Sequence, residues 1–190
     1  SVRYFREEFL TLLATIDIYF VEDTKDTSYL YYLNCSIRIS KTGVTIIDYL
    51  DLGGYVWKDH VIKRNFNVCD IDDCHFATFI TNVCNKDTAR LKTMESTIGY
   101  MLHGYKNLSY CPAVILNDEV ISDNPEGGTG KGLFMNALSH MKKLVVIDGK
   151  AFAFERAFPY QLVSADTQIL CFDDVKKNFD FERLFSVVTE

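Results

Sequence analysis

The chain has 190 residues, 48% hydrophobic and 14% aromatic, enough to bury a core and too apolar for a disordered segment. Its formal net charge of −6, from 20 basic and 26 acidic side chains, excludes a broad basic face for gripping nucleic acid, so any such contact must be local or come from surface outside these residues. No apolar run reaches the ~20 residues of a membrane helix, and SVRYFREEFLTLL at the start lacks a signal-peptide cleavage site, so the expectation is a soluble, cytoplasmic protein with no membrane partner.

Residues 2–16 place apolar groups at 2, 5, 9, 12, 13 and 16, the spacing of one helix face. YLYYLNCSIRIS (29–40) and VTIIDYL (44–50) read as two strands around a KTG turn, a hairpin over 29–50. In LGGYVWKDHVIKR (52–64) the only tryptophan, Trp57, is expected inside. Helices are predicted over 72–84 and 88–105, each opening on aspartates that suit the N-terminal dipole and cap.

The pattern changes near 107–112. AVILNDEV (113–120) reads as a buried strand, followed by a glycine-rich loop and a helix over 132–143. Strands over 143–150 and 167–175 come next, and a helix over 178–190 closes the chain. Strands alternating with helices predict a parallel sheet, so the fold class is α/β. The domains expected are an α+β unit over 1–108 and a second unit over 109–190.

The six cysteines, Cys35, Cys69, Cys74, Cys84, Cys111 and Cys171, read as free buried thiols. Cys69, Cys74, His75 and Cys84 have zinc-type donors but no C-x-x-C knuckle, which favours a structural role over a metal. His60, His75, His103 and His140 lack metal spacing and read as packing or surface residues. Tyr29, Tyr31, Tyr32, Tyr49, Tyr55 and Trp57 could stack single-stranded bases, although alternation along strands makes half of them core.

Two motifs carry chemistry. NPEGGTGKGLF (124–134) has the interior of a phosphate-binding loop, with Gly127, Gly128 and Gly130 leading into Lys131. Glycines let backbone N–H groups turn inward on phosphates at a helix N-terminus, and the lysine reaches the β- and γ-phosphates. The frame departs from G-x-x-x-x-G-K-[ST] at both ends, with Pro125 for the first glycine and Gly132 for the hydroxyl residue that ligates Mg²⁺. ILCFDD (169–174) then has the Walker B form, an apolar strand ending in acids. Asp173 is expected to hold the metal and Asp174 to orient the attacking water. Asp148 and Lys150, at the end of the preceding strand, read as turn residues that could also lie near the γ-phosphate.

IGYMLHGYKN (98–107), AVILNDEVISDNPEGGTGKGLFMNAL (113–138), KLVVIDGKAF (143–152) and the segment from TQILCFDDV to Glu190 together resemble the helicase part of phage and prophage primase-helicases, of helicase superfamily three. The family's loop often reads G-E-G-G-N-G-K-S. This chain matches it at Glu126, Gly127, Gly128, Gly130 and Lys131, and Asp173–Asp174 matches the family's paired acids. The resemblance implies an AAA+-like P-loop NTPase core, here incomplete after Walker B. It also implies ATP and Mg²⁺ as cofactors, a homo-oligomeric ring, and ATP hydrolysis coupled to translocation along single-stranded DNA in the full-length protein of a bacterial cell. The nucleotide site so implied is Glu126, Gly127, Gly128, Thr129, Gly130, Lys131 and Gly132, with Lys131, Asp173 and Asp174 catalytic and Asp173 on the metal. Two rivals are a nucleotide-binding but non-hydrolysing replication adaptor and a small-molecule P-loop kinase. The kinase would require Ser or Thr after the lysine, where Gly132 stands.

Overall fold

The computed structural model describes residues 7–70, 74–118 and 127–189. The described chain is mixed α/β, with a four-stranded mixed sheet, a separate two-stranded parallel sheet and helices between and around them.

The four-stranded sheet is built from β1 (Thr27–Tyr32), β2 (Ser36–Ser40), β3 (Gly43–Ile47) and β4 (Val61–Ile62), in the order β3-β2-β1-β4. β1–β2 and β2–β3 are antiparallel, and the two-residue β4 adds to β1 in parallel. The hairpin expected around KTG forms as β2–β3, but the single strand expected over 29–40 is corrected to two, β1 and β2, so the unit is a three-stranded meander. YLYYLNCSIRIS is broken by a tight turn at Leu33–Asn34, closed by Tyr32 N–H donating to the Cys35 carbonyl at 2.8 Å. Asn34 fixes that turn from outside the sheet. Its Oδ1 accepts from Phe66 N at 2.7 Å and its Nδ2 donates to the Phe66 carbonyl at 3.1 Å. An asparagine that satisfies a neighbouring strand's backbone lets the chain reverse without losing hydrogen bonds.

Side-chain alternation puts Leu30, Tyr32 and Ile37 on one face, buried with Cys35 against Ile62, Phe66 and Met141. The same face runs out over β3, where Val44 is 66% exposed and Ile46 56%. Trp57, expected inside, is 44% exposed and lies flat on Phe20, with ring centroids 4.6 Å apart. It covers a neighbour on the surface and does not fill the core.

Two helices follow, α2 (His75–Val83) and α3 (Thr88–Leu102). α3 starts where Asp87 accepts from Arg90 N at 2.8 Å, a side-chain N-cap of the kind its sequence predicts. The helix α4 (Lys131–Ser139) leads to β5 (Leu144–Asp148), and β6 (Ile169–Asp173) pairs with β5 in parallel from Leu144↔Ile169 to Asp148↔Asp173. The parallel pairing expected of these strands is what forms. The chain closes with a 3₁₀ turn at Phe181–Leu184 and the short α5 (Phe185–Thr189), in place of one helix over 178–190.

Two further expectations fail in the described residues. Residues 2–6 lie outside the described residues; of 7–16 only α1 (Glu7–Leu10) is helical, and Leu12, Leu13 and Ile16 point into solvent. A short amphipathic helix is held mainly by what its apolar face packs against, and these side chains pack on nothing described. Residues 113–118 form no strand, because no neighbour pairs with them and β6 bonds only β5.

The second core joins α2, α3, α4 and β6. Ile80, Cys84, Phe134, Leu138 and Ile169 are buried together, with Phe79, Met94, Ile98 and Leu116 packed around them. Leu138 is only 2% exposed, so trimming it to alanine costs about 3 kcal/mol, in the range for buried leucines. The first sheet is tied to the α4–β5 turn by Asp23. Its Oδ2 accepts from Ser28 Oγ at 2.7 Å and Gly104 N at 2.6 Å, and its Oδ1 accepts from Tyr29 N at 2.8 Å. The buried Lys142 ammonium lies 3.9 Å from Asp23 and donates to the Tyr29 carbonyl at 3.2 Å. Burial pushes the Lys142 amine below its ordinary range, and Asp23 opposes that push.

A candidate phosphate-binding site

The glycine loop enters α4 through backbone that side chains rarely adopt. Gly127, Gly128 and Gly130 have φ of 71°, 74° and 90°, all in the left-handed region. Gly130 is the N-cap of α4, and a Cβ there would lie 3.0 Å from two ring atoms of Phe79. Left-handed Gly130 followed by helical Lys131 pairs the two backbone hands, the combination that turns successive N–H groups to one side and makes an anion-binding nest. At Gly132 the reverse holds, since nothing lies within 4 Å of a Cβ built there. The residue is glycine without a packing reason.

Lys131 is the first residue of α4. Its Nζ donates to Asp118 Oδ1 at 2.5 Å and to Thr129 Oγ1 at 2.9 Å. The Lys131 hydrogen bond, followed by that of Thr129, holds the Asp118 carboxyl below its ordinary range. Asp118 is a partner that sequence reasoning missed. The signal was available: an acid ends the apolar run AVILND ahead of the loop. It was absorbed into the predicted strand.

The acids of ILCFDD stand at the C-terminal end of the parallel sheet. Asp173 closes β6 directly opposite Asp148, which closes β5. The next residue, Asp174, has φ of 52°, unusual for a non-glycine residue, and its Oδ2 accepts from Lys150 Nζ at 2.5 Å. That bond raises the Lys150 amine above its ordinary range. Asp148 Oδ1 accepts from the backbone N–H groups of Lys150 at 2.9 Å and Ala151 at 3.1 Å, closing the turn after β5. Burial, and behind it Asp173, pushes the half-buried Cys171 thiol above its ordinary range.

One cleft of about 1840 Å³ brings the two motifs together. Gly127, Gly128, Gly130 and Lys131 line it together with Asp173, Asp174 and residues 110–118. Lys131 Nζ is engaged by Asp118 and Thr129, and Asp173 is not among its ion-pair partners. Of the predicted site residues, Glu126 lies outside the described residues, as does Pro125, while Thr129 and Gly132 both line the cleft. Among the described residues that line the cleft, Asp173 is the exposed carboxylate with no ion-pair partner, since Asp174 is engaged by Lys150 and Asp118 by Lys131. This donor set fits Mg²⁺, which keeps several waters and takes one or two carboxylates, and does not fit an all-protein metal cage. Among the described residues no three His, Cys, Asp or Glu side chains are grouped to hold a metal. The described cysteines are free as expected, but only Cys35 and Cys84 are buried; Cys74, Cys111 and Cys171 are half-buried and Cys69 is exposed, which corrects the expectation of burial for those four.

No family model, curated protein or solved structure matches this chain. Among the described residues no helix is long and apolar enough to cross a membrane.

Proposed function

We propose that the chain binds ATP at Gly127–Gly132 and hydrolyses it with the acids at the end of β6, as the ATP-binding portion of a phage-type primase-helicase. The observation that supports this most is the run of left-handed glycines delivering Lys131 to the first turn of α4, in one cleft with Asp173. Phosphate oxygens would replace the Asp118 carboxylate as the partners of Lys131, and the α4 N-terminus would add its N–H groups and positive dipole end. Asp173 would hold Mg²⁺, which neutralises charge on the β- and γ-phosphates when bound. Asp174 would align a water for attack on the γ-phosphorus as the bond to ADP breaks, once Lys150 releases it. The helicase context, with single-stranded DNA and a homo-oligomeric ring, rests on the resemblance of the sequence segments.

One observation favours the second reading, a nucleotide-binding adaptor that does not hydrolyse. Gly132 supplies no hydroxyl to the metal, and Lys150 already occupies Asp174. Phosphate release from Mg·ATP, with and without single-stranded DNA, separates the two readings. The motor reading expects slow release that DNA stimulates and that Asp173→Asn abolishes. Release absent from the parent sinks it in favour of the adaptor, and release unchanged by Asp173→Asn sinks the assignment of hydrolysis to the β6 acids.

A further inference from the structure

A second concave site lies away from the glycine loop, where β4 and the residues flanking it meet the α4–β5 turn. This cleft of about 460 Å³ is lined by Asp59, Lys63, Arg64, His140, Lys142 and Lys143, among others. Four formal positive charges and one carboxylate share it, on a chain whose net charge is −6. The acids of this region are already committed. Lys142 is buried beside Asp23, and Lys143 pairs with Asp166 at 2.5 Å and Asp59 at 3.6 Å. Lys63 and Arg64 are exposed, and among the described residues no carboxylate lies within ion-pair distance of either. The Arg64 guanidinium instead donates to the Met141 sulfur at 3.4 Å, which holds it across the mouth of the cleft. Asp166 also anchors the wall, its backbone carbonyl lying 2.9 Å from His60 Nε2.

The chain that enters this wall presents aromatic rings. In YVWKDHVIKR (55–64), Tyr55 and Trp57 are both exposed, and Trp57 is held flat by its stack on Phe20. Exposed aromatic faces and unpaired cations on one short segment, beside a concave basic surface, are the combination that binds single strands. The cations take the phosphates, and the rings stack on bases of any sequence. A free inorganic anion would use the cations alone and leave the rings without a role.

We infer that the Lys63–Arg64 cleft and the Tyr55–Trp57 segment bind the backbone and bases of single-stranded nucleic acid. Only the partner's biological setting rests on the helicase reading; the binding itself needs no nucleotide. It places the contact in the first sheet, outside the ATP cleft, and makes it local, as an acidic chain requires.

Fluorescence anisotropy of labelled dT30 at several salt concentrations tests this on the parent, Lys63→Gln/Arg64→Gln and Lys63→Glu/Arg64→Glu. The parent should bind, and the glutamine pair should weaken binding about tenfold. Loss of two phosphate contacts should also flatten the salt dependence by about 1.4 in log–log slope. Trp57→Ala should weaken binding while leaving that slope unchanged. Unlabelled tripolyphosphate should compete poorly; if it displaces dT30 at matched phosphate concentration, the site takes free anions and the inference falls. It falls equally if the parent does not bind dT30, or if both paired variants bind as the parent does. The neutral glutamine pair decides the matter should the charge reversal unfold the protein. ATP titration of the glutamine pair should match the parent. A parent that binds ATP but not dT30 overturns this inference alone, and one that binds dT30 but not ATP overturns only the nucleotide reading.

Discussion

The ammonium of Lys131 sits between Asp118 and Thr129, so a phosphate must outcompete a carboxylate already hydrogen-bonded to it. Charge-assisted bonds of this kind are the strong ones, and the nest of left-handed glycines gives phosphate further donors that Asp118 does not use. Gly132 is the informative position next to it. Its Cβ direction is open, so Gly132→Ser adds the missing hydroxyl without a clash, at the N-terminal turn where serine is tolerated. The expected outcome is Mg·ATP binding several-fold tighter than the parent's, with ATP binding in EDTA unchanged. Equal gains with and without Mg²⁺ would show that the hydroxyl acts on phosphate and not on metal. The interior of the loop was legible in the sequence because positive φ selects glycine and phosphate selects lysine. Asp118 was legible only as an acid ending an apolar run, because its meeting with Lys131 depends on where residues 111–118 lie in space.

At the scale of elements, the β5–β6 pair and the helices α2, α3 and α4 could be read from the sequence. Each is set by local periodicity and buries its apolar face in one shared core. What could not be read depended on partners. Asn34 turns the chain because the Phe66 backbone is there to accept and donate, and 113–118 forms no strand for want of a neighbour. Residues 11–16 lose their helix for the same reason. The loop before β6 is a case where one side chain makes the connection. Asp166 accepts from Lys143 Nζ at 2.5 Å and Ser164 Oγ at 2.6 Å, and the lysine bond, followed by the serine bond, holds its carboxyl well below the usual carboxylate range. A depressed folded-state value contributes stability above the ordinary aspartate pKa, and that contribution is lost as pH falls through the folded value. Thermal melts of the parent and Asp166→Asn should therefore differ by a constant amount above about pH 5 and converge as pH falls below about 4. A gap that stays constant down to pH 2 would show that the ionised carboxylate contributes nothing.

Over the whole molecule, charge is sorted into two places. The glycine loop and the β6 acids share the larger cleft, and the unpaired cations of β4 and its flank share the smaller. Between them runs α4, which begins at Lys131 in the first cleft and ends beside His140 and Met141 in the second. Just beyond its far end, Lys142 meets Asp23 and the Tyr29 carbonyl of the first sheet, so one helix connects the two clefts. The sequence could not show this, because Asp23 and Lys142 come together only in the fold. The claim on which the rest depends is that Gly127–Gly132 is a nucleotide site. Calorimetric titration of Mg·ATP into the parent and into Lys131→Ala tests it most directly. The account predicts one site per chain in the parent, and at least tenfold weaker binding in Lys131→Ala, about 1.4 kcal/mol, with an unchanged melting temperature. Equal affinity in the two proteins, or no binding by the parent, would contradict it.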